Sequence, residues 1–226
     1  MQKAMSKPPK VLHIIYDLMR GGTEGQCART AMACRRMGLD HRVAVFVRSG
    51  YFLGAVEAAC GPVYEIGIRK FFSLHTLREI WRLKSYICRE GFDIVHAWDM
   101  DACIFGALAA RWADVPYITS RRNLAEVMPA YKRNILRFSD TGASAVVVNA
   151  NAVRDHFVAC GLDPEKVHVI PNMLDLDDFN RAAEAEDGLP DGRIAGMVCR
   201  LEPEKDAGTF IRAAVPLLVE FPDVKF

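Results

Sequence analysis

The feature that most restricts this chain is an alternation. Seven short runs rich in Val and Ile are separated by longer segments with helical spacing. They are "VLHIIY" (11–16), "RVAVFV" (42–47), "VYEI" (63–66), "DIVHAW" (93–98), "YITS" (117–120), "AVVVNA" (145–150) and "VHVIP" (167–171). Most are apolar on both faces, so both faces need cover, and crossover helices on a parallel sheet supply it. The pattern predicts an α/β fold with an open, doubly wound, Rossmann-like parallel sheet of seven strands.

The intervening helices carry stop signals. "TEGQCARTAMACRRMG" has Thr23 and Gln26 at capping-box spacing and Gly38 at its end. "SLHTLREIWRLKSYICREG" places Leu77, Ile80, Trp81, Lys84, Ile87 and Cys88 on one face, ahead of Gly91. After Pro171 the pattern breaks. "NMLDLDDFNRAAEAEDGLPDG" is acidic and aperiodic, a linker by composition. "RIAGMVCRL", the helical "DAGTFIRAAVPLLVEF" and "PDVKF" then begin a second unit. The expected division is 1–172, a linker over 173–192, and 193–226 as the truncated start of another domain, because one strand and one helix close no core.

Composition excludes several classes. With 29 basic and 28 acidic residues, the net charge of +1 gives no footing for nucleic acid. No apolar run approaches the ~18 residues of a membrane span, and the start "MQKAMSKPPK" lacks the pattern of a signal peptide. Seven scattered cysteines with no Cys-x-x-Cys pair read as reduced thiols of a cytoplasmic protein. The six histidines are dispersed, so neither a metal nor a cofactor is expected.

"DLMRGGTEG" (17–25) follows the first strand directly. A strand, Gly21-Gly22 and a helix starting near Thr23 form either a plain tight turn or an anion site. In the second case free amides and the positive end of the helix dipole meet a ligand on bare backbone. The spacing is neither Gly-x-Gly-x-x-Gly nor a Walker loop.

Three stretches together resemble retaining nucleotide-sugar glycosyltransferases of family 4: "PKVLHIIYDLMRGGTEGQCARTAMACRRMG", "KVHVIPNMLDLDDF" and "GMVCRLEPEKDAGTFIRAA". The resemblance implies a GT-B fold, in which two Rossmann-like domains face a cleft. The acceptor sits mainly on the first domain and the nucleotide-sugar donor mainly on the second. It places Gly21, Gly22 and Thr23 in the loop that meets donor phosphates and acceptor. Arg200 and Lys205 match the residues that hold the donor diphosphate. Two fixed cations there would stabilise charge growing on the leaving group; the alternative is surface pairing with Glu202 and Glu204. The acceptor would be a saccharide or lipid-linked saccharide, with the leaving phosphate taking its proton and no metal required.

The sequence departs from the family pattern in several places. After the fourth strand the usual His-x-His is His96-Ala97-Trp98, followed by Asp99. An indole can stack on a sugar but cannot relay a proton. His96 is open to two readings, cleft-lining or hydrogen-bonded core. Glycines of the pattern are replaced by Cys199, Asp206 and Met173. The acidic Glu-x7-Glu motif of the nucleoside subsite is not within the 226 residues, so this chain alone is expected to turn over no donor. "TSRRNLAEVMPAYKR" offers Arg121, Arg122 and Asn123 to an anionic acceptor, or simply to solvent. Residues 68–89 interleave Arg69, Lys70, Arg78, Arg82, Lys84 and Arg89 with Phe71, Phe72 and Trp81. They read as a solvated amphipathic helix or as a peripheral contact with anionic membrane at the cytoplasmic face. A non-catalytic glycan-binding module derived from a degenerate transferase is the rival function.

Overall fold

The computed structural model describes residues 7–122, 130–174, 176, 192–199, 201 and 203–226. The chain divides into two compact units, Met1–Met173 and Leu174–Phe226.

In the first unit, seven strands form one parallel sheet: β1 (Val11–Ile15), β2 (His41–Val45), β3 (Tyr64–Glu65), β4 (Ile94–Ala97), β5 (Tyr117–Arg121), β6 (Ala145–Val148) and β7 (Val167–Val169). Their order is β3-β2-β1-β4-β5-β6-β7. All seven predicted strands are present, six of them shorter than their apolar runs and β5 longer by Arg121. The order reverses between β1 and β4, which pair in register from Val11 with Ile94 to Ile14 with Ala97. Sheets of this kind leave a crevice there, beyond the carboxyl ends of the strands.

The helices are α1 (Gly22–Arg36), α2 (Leu53–Cys60), α3 (Leu74–Glu90), α4 (Ala107–Trp112), α5 (Ala130–Gly142) and α6 (Asn151–Ala159). They cover both faces. One core lies under α3, α4 and α5 around Leu12, Ile14, Leu83, Ile87, Val95 and Ala110. The other lies under α1 and α2 around Ile15, Cys27, Ala31, Val45 and Val56. A π-helical turn, Ala102–Gly106, leads into α4. It packs close to the sheet, since a Cβ on Gly106 would lie 2.9 Å from Ile14 Cδ1.

Two helix readings are corrected. α1 begins at Gly22 with Gly21 as N-cap, and no side chain caps it. Thr23 is therefore inside the helix. Gln26 turns instead to the backbone of Met173, accepting from its N–H and donating to its carbonyl, both at 2.7 Å. In α3 the buried residues are Thr76, Glu79, Ile80, Leu83 and Ile87. The face is thus turned by about one residue from the expected one, leaving Leu77 and Trp81 50% and 58% exposed. The turn follows from Glu79, whose carboxylate reaches inward to the Gly67 N–H at 3.2 Å and also holds Arg82 at 2.9 Å.

In the second unit, β8 (Arg193–Ile194) pairs parallel with β9 (Val224–Lys225), joined through α7 (Ala207–Glu220). Asp206, which stands at a glycine of the family pattern, has φ +46°. That left-handed backbone favours glycine. Asp tolerates it and caps α7 through Thr209 N at 3.2 Å and Thr209 Oγ1 at 2.6 Å.

Candidate functional site

The carboxyl ends of β1, β4 and β5 meet the start of α1 at the point where the strand order reverses. Gly21 has an ordinary extended backbone, φ −145° and ψ 167°. A Cβ on Gly22 would meet nothing within 4 Å, whereas one on Gly21 would overlap the Glu24 carboxylate, whose nearer oxygen would be 1.9 Å away. Gly50 is the contrast: φ is +122° and a Cβ would lie 2.1 Å from the Leu18 backbone. The backbone requires glycine at 50, in the loop after β2, whereas the torsions at Gly21 and the open space at Gly22 do not, and at Gly21 only the Glu24 side chain would have to move. Gly22 is open, at a helix start that no described side chain caps.

Opposite this loop is Asp99. Its carboxylate accepts from the Tyr16 N–H and, at 2.9 Å, from the Ala102 N–H, tying the end of β1 to the π-turn. Burial pushes the Asp99 carboxyl up to about 7, against the pull of these two amides. Asp99 therefore changes charge near neutrality at the mouth of the crevice.

Behind it lies a chain of rings. Trp98 is 4% exposed. Its indole Nε1 donates to His13 Nδ1 at 2.9 Å, and His13 Nε2 lies 2.8 Å from His41 Nδ1. An indole nitrogen only donates, so His13 Nδ1 accepts. The neutral ring then carries its proton on Nε2 and gives it to His41. His96 stacks on Trp98 at 4.4 Å between centroids, and its Nε2 is 2.8 Å from Ser120 Oγ. Burial holds His96 down at about 3, with Arg122 and His41 adding to the effect. Burial and then His96 and His41 hold His13 well below its ordinary value.

Trp98 does not present an open face. His96 stacks against the indole, and the Arg122 guanidinium lies 4.8 Å from its centroid. Arg122 also donates to Asn172 Oδ1. Its Nε is buried with no hydrogen-bond partner among the described residues.

Arg121 differs from the sequence expectation. Its guanidinium forms a buried fork with Asp140, at 2.9 and 2.7 Å, and Thr119 Oγ1 adds a third bond to that carboxylate at 2.8 Å. Arg121 thus holds β5 to α5, and an acceptor in the crevice would find Arg122. Strands alternate faces, so one residue of offset decides which arginine is structural. Removing either partner of such a pair costs about 3–5 kcal/mol. Asn123 and Arg200 lie outside the described residues. Lys205 ends the short 3-10 turn Pro203–Lys205 of the second unit.

Sequence reasoning missed His13, His41 and Gln26. His13 and His96 are register partners on β1 and β4. Placing those strands side by side would have found them, because each is the third residue of its strand. Nothing local foretold the pairing of Gln26 with Met173.

No curated protein matches the sequence. The model of Glycosyltransferase Family 4 matches residues 20–178. HepE of Anabaena, solved with UDP and glucose, is 22% identical with a TM-score of 0.75, over 96% of this chain and 60% of that one. A glycosyltransferase of Rickettsia africae is 17% identical with a TM-score of 0.67, over 93% and 58%. MurG of Acinetobacter baumannii is 17% identical with a TM-score of 0.54, over 74% and 46%. The chain therefore spans 60% or less of the length of these three structures. The likeness in fold is to GT-B glycosyltransferases and their Rossmann-like domains. With a family match over most of its length, from the glycine loop through the last strand of the sheet, the chain belongs to glycosyltransferase family 4.

Proposed function

We propose that this chain carries the acceptor-side domain of a retaining glycosyltransferase, which moves a sugar from a nucleotide-sugar donor to a saccharide or lipid-linked saccharide. The observation that carries this reading is the start of α1, which no described side chain caps, behind a Gly22 that is open where the fold itself does not need glycine. Amides at such a helix start favour a diphosphate or a polar acceptor. In this reading Gly21, Gly22 and Thr23 approach the donor phosphates, and Asp99 and Arg122 line the crevice. Trp98 lies against the Arg122 guanidinium, and His96 stacks on the indole. Arg200 and Lys205 hold the diphosphate from the second unit. That HepE was solved with UDP and glucose supports a nucleotide-sugar donor.

The deciding experiment is a screen of UDP-, GDP- and ADP-sugars against saccharide acceptors, using this chain together with the remainder of a two-domain transferase. Donor-dependent glycosylation is expected, and Arg200→Ala or Lys205→Ala should lower kcat more than donor affinity. Glycan binding with no turnover for any donor would favour the binding-module reading instead.

A peripheral membrane contact has its own support. Leu74, Leu77, Trp81 and Trp112 are exposed on α3 and α4, and the two indoles lie 6.2 Å apart. Lys84 sits 5.3 Å from the Trp81 ring. Aromatic and aliphatic side chains beside cations suit the headgroup layer of an anionic bilayer. No described helix is long and apolar enough to cross a membrane.

A further inference from the structure

We propose that the hollow beyond the ends of β2 and β3 is a subsite for a saccharide that carries an anionic group. The proposal rests on the transferase reading above and names the acceptor class that the reading leaves open. The hollow has a volume of about 410 Å³ and lies on the carboxyl side of the sheet, next to the crevice. Tyr16 joins the two, since its side chain lines the hollow while its N–H is held by Asp99.

The floor is aromatic. Phe46 and Phe105 are buried, with centroids 6.1 Å apart, and Phe71 lies 5.2 Å from Phe105. Rings grouped in this way offer faces to the C–H side of a sugar. The rim is cationic, with Arg69, Lys70 and Lys132. Arg69 and Lys70 belong to the basic run that the sequence suggests as one helical face, yet α3 begins only at Leu74. They stand on the loop before it and line the hollow. Among the described residues neither has an ion-pair partner. The Lys132 ammonium lies 5.7 Å from the centroid of Phe71.

Two carboxyl groups face these cations. Glu65 ends β3, and Asp101 lies before the π-turn. Burial raises Asp101 above its ordinary value although Lys132 opposes the rise. Three cations against two carboxyls, one of them desolvated, leave the hollow positive.

The loop is fixed in place. Thr76 Oγ1 donates to the Lys70 carbonyl at 2.6 Å, His75 Nε2 lies 2.9 Å from the Gly67 carbonyl, and Glu79 takes the Gly67 N–H. A rim that is held before binding loses less entropy when a ligand arrives. The volume falls in the ordinary range for ligand sites, about 300–1,000 Å³. Neutral sugars would leave Arg69 and Lys70 without an anion, so a carboxylate or phosphate substituent is the chemistry that fits.

The test is an NMR titration of the 226-residue chain with glucose, glucuronate, glucose 6-phosphate and inorganic phosphate. At least one anionic sugar should bind about tenfold or more tightly than glucose, with shifts at Phe71 and Phe105. Comparison of the two anionic sugars separates carboxylate from phosphate. Arg69→Gln with Lys70→Gln, on an exposed loop, and separately Lys132→Gln, should each abolish the preference while the rest of the spectrum is retained. Equal binding of glucose, equally tight binding of phosphate alone, or no shifts at these rings would each overturn the proposal. Turnover of sugar nucleotides is measured separately, so failure here leaves the transferase reading standing.

Discussion

Gly22 separates a structural role from a functional one. As the first residue of α1 with open space at its Cβ, it should tolerate alanine. Alanine is the better helix former by about 0.8–1.0 kcal/mol in a helix interior, and less at this end position. Gly22→Ala should therefore leave the urea midpoint unchanged or slightly raised, while donor-dependent transfer falls. A lower midpoint with transfer unimpaired would return Gly22 to a plain turn.

The rings beneath predict how acid acts. His13 and His96 are held neutral in the fold, so their share of stability is present above the ordinary value of 6.5. It is lost as the pH falls below 6.5 toward the folded values. Asp99, raised to about 7, works the other way, because the folded state keeps a proton there that the unfolded chain releases above 3.8. The two histidines outnumber the one carboxyl, so the net effect of these groups is a loss of stability as the pH falls below 6.5. Asp99→Asn removes the offset, and the acid slope measured by urea titration should become steeper. An unchanged slope would mean that Asp99 does not keep a proton in the fold at these pH values. The residues of the crevice were legible in the sequence, since strand ends and glycine loops mark themselves. Their roles were not: Trp98 is spoken for by His13 only because β1 lies beside β4, and that adjacency is a property of the sheet.

Among the elements, α3 shows what periodicity leaves undecided. The spacing gave a correct helix and the wrong stripe, because Leu77 and Trp81 fit a buried face as well as Thr76 and Glu79 do not. What settles it is the inward Glu79 carboxylate, which needs the Gly67 amide, a partner outside the helix. The outward stripe has a measurable consequence. Sedimentation with vesicles should show binding to anionic phosphatidylglycerol mixtures and little to phosphatidylcholine. Trp81→Ala with Lys84→Gln should weaken it about tenfold or more, the loss falling as salt rises. Equal binding to both vesicle types would remove the electrostatic part of the reading. Ser73 caps the same helix through Thr76 N at 3.0 Å, which fixes where the Arg69–Lys70 loop ends.

At the scale of the whole molecule, the sheet was the most legible feature: doubly covered strands announce themselves, and all seven were found with their direction. The second unit shows the opposite case. In α7, Ile211, Val215, Leu218 and Val219 are exposed. Deleting residues 181–226 should leave the melting temperature of the first unit within about 2 °C, a shift that corresponds to well under 1 kcal/mol, and should raise solubility. A large fall in melting temperature would mean that the first unit draws stability from the second.

The clasp between Gln26 and Met173 spans 147 residues of sequence. A ribosome adding about 5–20 residues per second needs roughly 7–30 s to cover that distance. Through this interval α1 and its glycine loop exist while the backbone that buries Gln26 has not been made. The nascent domain thus spends its early life with a bare loop and an unmatched amide. It finishes that corner only after its last strand arrives, so the glycine loop is among the first parts translated and among the last to be locked.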